Sequence, residues 1–128
     1  MNELIAGVNW LAVGVSTIAA FALGALWYSP ILFVKGWAEG VGVDINNKPD
    51  NMAATMVAQL IATFLLALVI GVCAVADQIE LAILVIVTIA ILLYAGGGYS
   101  QKSGYAKMVE SGFVIAMGVV MIACQALF

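Results

Sequence analysis

Four stretches of this chain contain no charged side chain, and each is long enough to cross a lipid bilayer. They lie between Glu3 and Lys35, between Asp50 and Asp77, between Glu80 and Lys102, and from Glu110 to Phe128. A helix needs about 20 predominantly apolar residues to span the hydrocarbon core. A charge at the centre of that core costs at least ~2.5–3.5 kcal/mol, so the gaps between charges mark what can be inserted. Their placement predicts spanning helices at about 8–28, 52–76, 81–99 and 111–128. The expected fold class is all-α: an integral membrane four-transmembrane-helix bundle, a single domain over residues 1–128, with a short interfacial segment after its first helix. The 66% of hydrophobic residues and 9% of charged ones agree, since a soluble domain is about half apolar and a quarter charged. So short a chain could not bury that excess in a water-soluble core.

The connections differ in kind. Asp77-Gln78-Ile79-Glu80 is so short that the second and third helices must form an antiparallel hairpin. The first loop opens with Ile31-Leu32-Phe33-Val34-Lys35-Gly36-Trp37, read as a segment in the headgroup region with Pro30 in its first helical turn. Asp44 to Asp50 then has turn chemistry, and Asp50 or Asn51 is the candidate cap of the second helix. Gly96-Gly97-Gly98 is expected to end or loosen the third helix; without a following Lys-Ser/Thr it is no phosphate loop. The N-terminus has no basic n-region, so the first apolar run is read as a retained helix rather than a cleaved signal.

All four lysines fall in the first and third loops. The positive-inside rule then puts those loops in the cytoplasm and both termini outside it, with the inner cell membrane as the expected location. Trp27, Tyr28, Trp37, Tyr94, Tyr99 and Tyr105 share the lysine-bearing side, leaving Trp10 opposite. An aromatic belt explains them, with Trp10, Pro30, Lys35 and Trp37 as interface anchors. The sharper reading makes Trp27, Tyr28, Tyr94 and Tyr99, joined by Gln59 from the second helix, a pocket for a lipid headgroup or small ligand.

Small residues recur every fourth position: Ala12, Ser16, Ala20 and Gly24 on the first helix, Ala54, Ala58 and Ala62 on the second. In lipid the hydrophobic effect gives helices little reason to associate, so such stripes suggest close backbone approach to other helices. The third helix is bulky on all sides and is expected to face lipid over much of its surface.

Chemistry is harder to find. Histidine is absent, and Cys73 and Cys124 sit in apolar runs, without any zinc, haem or redox motif. No metal or other cofactor is expected. Ser29 has no histidine to activate it, and no ionisable residue lies mid-span. The nearest, Glu110, is read as paired with Lys107 three residues before it. Gln59 needs a partner in lipid and is read first as interhelical glue. The net charge of −3 leaves no basic stripe for nucleic acid.

The stretch Asn9-Trp10-Leu11-Ala12-Val13, then Ala19 through Pro30, then Leu32-Phe33 and Lys35-x-Trp37 resembles a bacterial membrane family catalogued as domain of unknown function 1761. Gly24-Ala25-Leu26-Trp27-Tyr28-Ser29-Pro30 is its specific part. The resemblance implies a four-span fold and a membrane location, and supplies neither an activity nor catalytic residues. The leading expectation is a non-enzymatic polytopic protein that self-associates, or supports a larger membrane complex, with lipid and membrane proteins as its partners. The alternative is a channel or transporter for a small solute or lipid. The first-helix acidic residue of four-helix multidrug transporters is missing, as are the arginine motifs of fluoride channels.

Overall fold

Asn9 opens the first long helix: its side-chain oxygen accepts the amide hydrogen of Ala12 at 3.1 Å, satisfying one of the donors a helix start leaves without a partner. In the computed structural model, which describes residues 2–43 and 52–128, a single helical turn, α1 (Asn2–Ile5), precedes this helix, α2 (Trp10–Trp27). Then come α3 (Val34–Val41), α4 (Met52–Val75), α5 (Ile79–Tyr99) and α6 (Gly104–Leu127). There is no strand among the described residues. Helices α2, α4, α5 and α6 are long and apolar enough to cross a membrane, which makes this a multi-pass membrane fold. The expected turn at Asp44–Asp50 and the cap at Asp50 or Asn51 lie outside the described residues.

Three boundaries differ from those expected. Ser103 accepts the Ala106 amide hydrogen at 3.1 Å and starts α6 at Gly104 instead of near residue 111. Charge was a poor guide there, because Lys107 and Glu110 sit in the first turns of the helix, at the membrane edge. Pro30 lies in a turn, where the Leu32 amide donates to the Ser29 carbonyl at 3.1 Å, and α3 starts only at Val34. Nor does Gly96-Gly97-Gly98 end α5, which continues to Tyr99. Continuing the helix keeps each backbone group hydrogen-bonded near the bilayer, which outweighs glycine's low intrinsic propensity. Gly97 is there for clearance: a Cβ would come within 2.7 Å of the Lys107 side chain that crosses it.

Helices α4 and α5 end alike. The Asp77 amide donates to the Ala74 carbonyl and the Gln78 amide to the Cys73 carbonyl; at the end of α5, Gln101 donates to Gly98 and Lys102 to Gly97. These are Schellman turns, and the left-handed residue each requires is Asp77 (φ 56°) in one and Gln101 (φ 59°) in the other.

The centre of the bundle is α6, which packs on α2, α3, α4 and α5. Its Phe113, Val114, Met117 and Met121 form one core with Val13 and Ala20 of α2, Leu66, Ala67 and Ile70 of α4, and Ala82 and Ile86 of α5. At Gly118 the backbone of α6 comes so close to Ile86 that a Cβ would overlap it. Most of α5 otherwise faces outward, as its bulk on all sides suggested. Every residue of α4 from Met52 to Ala62 is exposed. Buried hydroxyls bond back within their own helices: Ser16 to the Ala12 carbonyl at 2.6 Å, Thr17 to Val13 at 2.8 Å, and Ser111 to Lys107 at 2.8 Å. Cys73 and Cys124 are buried free thiols.

Candidate functional site

The end of α2 is fastened to α6 by its aromatic residues. The Trp27 indole N–H donates to the Val109 carbonyl at 3.0 Å, and its ring stacks obliquely on Phe33 at 4.8 Å. Tyr28 meets Trp37 and Phe113 edge-on, with ring centroids 5.3 and 5.5 Å apart. Such pairs contribute about 0.5–1.5 kcal/mol each beyond the area they bury. The turn between them reverses the chain, and α3 comes to lie across the start of α6. There the Ser103 amide donates to the Gly40 carbonyl at 2.9 Å, and any side chain at residue 40 would overlap Ser103.

This arrangement brings together a polar group. Lys102 Nζ lies 2.7 Å from Glu110 Oε1 and 3.0 Å from Oε2. The Trp37 indole N–H donates to the same Oε1 at 3.2 Å. Only 14% of the Glu110 side chain and 25% of that of Lys102 remain accessible. The expected pairing of Glu110 with Lys107 is therefore replaced. Lys107 runs across Gly97 and sets its ammonium 4.6 Å from the centre of the Tyr94 ring, a cation–π contact with α5.

Below the ion pair lies a cleft of about 650 Å³, within the ~300–1,000 Å³ usual for ligand sites. Lys102, Glu110, Trp37 and Tyr28 stand at its head. Phe21, Gly24 and Ala25 of α2 form one wall, and Phe113, Val114 and Met117 of α6 another. The remaining wall is the exposed half of α4, through Met52, Thr55, Met56 and Gln59, with Leu93 of α5. The cleft lies on the side where α4 is exposed from Met52 to Ala62.

Of the residues expected to form a pocket, Tyr28 and Gln59 line the cleft. Trp27 is beside it, tied to Val109; Tyr94 is outside, beneath Lys107; and Tyr99 is 91% exposed at the end of α5. The Gln59 amide donates to Thr63 Oγ1 at 3.2 Å, and the Thr63 hydroxyl donates to the Gln59 carbonyl at 2.7 Å, so its bonds stay within α4 rather than joining helices. Lys102, Met52 and Met56 carried no sequence signal for the cleft, since their meeting depends on how the helices cross.

The packing residues divide similarly. Ala12, Ser16 and Ala20 are fully buried, and Gly24 leaves room for the Phe113 ring, whose edge lies 3.0 Å from where a Cβ would be. Ala54, Ala58 and Ala62, expected to face other helices, are exposed rather than buried among the described helices. Among the anchors, Trp10, Pro30 and Lys35 are exposed, whereas Trp37 is turned inward to Glu110.

Within Gly24 to Pro30, Gly24, Trp27 and Tyr28 thus join the end of α2 to α6 at the head of the cleft. Across residues 11–128 the sequence matches the family model described as "Protein of unknown function (DUF1761)". The chain belongs to this family. The match takes in the four spans of the DUF1761 bundle except Trp10, together with the cleft and the ion pair. Comparison with curated proteins and with solved structures finds no match.

Proposed function

We propose that this chain is a small polytopic protein of the bacterial inner membrane, with both termini outside the cytoplasm, that works by association rather than catalysis. It pairs with a second copy or serves as an accessory to a larger membrane complex. The supporting observation is the exposed alanine stripe of α4. Ala54, Ala58 and Ala62 are exposed, about a third of a turn round the helix from the buried face of Thr63, Leu66 and Ile70. A row of small side chains facing lipid permits a second helix to approach closely, and in a membrane close packing is a main source of helix association.

The test is crosslinking in native membranes. Ala58→Cys is expected to yield a disulfide-linked homodimer or a single heavier adduct on mild oxidation. Leu92→Cys, on the exposed face of α5, is expected to yield little. Equal yields from both positions would remove the α4 interface.

The cleft favours a second reading, a carrier or channel for a small solute or lipid. Flux of candidate solutes into proteoliposomes, compared with protein-free vesicles, tests it directly.

A further inference from the structure

We infer that the cleft between α2, α4 and α6 is a binding site for one phospholipid, whose phosphate is held by Lys102 and whose acyl chain lies against Phe21, Ala25, Met56 and Met117. This gives a ligand class to the carrier reading and rests on that reading's cleft.

The polarity of the cleft is graded. Its charged pair, indole and phenol stand at one end, and the walls below are almost entirely apolar. Gln59 lies seven residues along α4 from Met52, or about 10 Å deeper at 1.5 Å per residue. The cleft therefore runs from the lysine-bearing edge about a third of the way into a ~30 Å core. Only an amphiphile satisfies both ends. Water would be poorly held along the apolar walls, and a plain hydrocarbon would leave the spare N–H of Lys102 without an acceptor.

Hydrogen bonding decides the headgroup. Glu110 already accepts from Lys102 on both oxygens and from Trp37, so little acceptor capacity is left for a ligand ammonium. Lys102 has three N–H donors, and its contacts to Glu110 use at most two. The Gln59 amide nitrogen gives one hydrogen to Thr63 and has a second. The cleft thus offers donors at its head and again deeper. A glycerophospholipid presents acceptors in the same order: phosphate oxygens first, ester carbonyls next, then its chains. The open side, between exposed residues of α4 and Leu93 of α5, gives such a lipid a lateral way in.

Native mass spectrometry of the full chain, delipidated in detergent and then offered palmitoyl-oleoyl phosphatidylglycerol, tests this. One lipid per chain is expected. Diacylglycerol with the same chains is expected to be held about tenfold less well, the loss of one charge-assisted hydrogen bond. Ala25→Trp, which fills the cleft, is expected to lower retention about tenfold or more, while Ala22→Trp, on the exposed side of α2, leaves it unchanged. In Lys102→Gln/Glu110→Gln, which removes both charges but keeps polar partners, the preference for the phospholipid should disappear. Equal loss in Ala25→Trp and Ala22→Trp would overturn the site. So would diacylglycerol bound as well as the phospholipid by the unaltered protein. Displacement of the lipid by glycerophosphate would make it a site for a soluble phosphate instead, and a change of oligomeric mass in Ala25→Trp would make the occupant a helix of another chain. Binding is read here without flux, so a failure would leave transport of another solute to its own assay.

Discussion

Glu110 is the residue on which the head of the cleft depends. It receives Lys102 from the loop before α6 and Trp37 from α3, tying three segments at one carboxylate. Replacing it with alanine leaves an indole N–H and a mostly buried ammonium without an acceptor, and truncating one partner of such a group costs more than the intact pair contributes. Glu110→Ala is expected to destabilise the bundle by about 2–3 kcal/mol, and Glu110→Gln by less. Chemical denaturation in micelles, followed by tryptophan emission, measures both. The sequence singled out Glu110 as the closest ionisable residue to a span but paired it with its nearest neighbour in the helix. Spacing along one helix is visible in a sequence. That Lys107 would instead reach Tyr94 follows from α5 lying beside α6.

At the scale of elements, the helix ends carry the clearest untapped stability. Gln101 holds φ 59° in the Schellman turn that closes α5, a conformation costing about 1–2 kcal/mol for an ordinary L-residue. Glycine adopts it freely but loses more entropy on folding. Gln101→Gly is therefore expected to stabilise the protein by about 0.5–1 kcal/mol, read in the same denaturation experiment. Periodicity identified α2's small stripe, which is buried in the fold from Ala12 to Ala20, and the bulk of α5 on all sides anticipated its exposure. On α4, Ala54, Ala58 and Ala62 repeat as regularly as Ala12, Ser16 and Ala20 yet stay exposed. A stripe records that something can approach closely. Whether that something is in the same chain is set by the tilt of the helix.

For the whole molecule, the bundle places the α4–α5 turn on one side and the α5–α6 turn, with Lys102 and Lys107, on the other. The proposed orientation assigns these sides to outside and cytoplasm. Gln78→Cys should then react with a membrane-impermeant maleimide applied to intact cells, and Ser100→Cys only after lysis. The reverse pattern would invert the protein, and equal labelling of both would indicate two orientations. Both substitutions sit at exposed turn positions, whereas Cys73 and Cys124 are buried and should stay silent.

The number, order and approximate limits of the spans are determined by the sequence alone, because the cost of a charge in hydrocarbon is large and local. The family is legible in the stretch from Gly24 to Pro30, where Gly24, Trp27 and Tyr28 make specific contacts with α6. Which lysine Glu110 holds, which face of α4 is left open, and that a cleft lies beneath the ion pair were decided only by tertiary structure. Each depends on the angle at which one apolar helix lies against another, and in lipid that angle is set by side-chain shape along the whole contact rather than by hydrophobicity at any position.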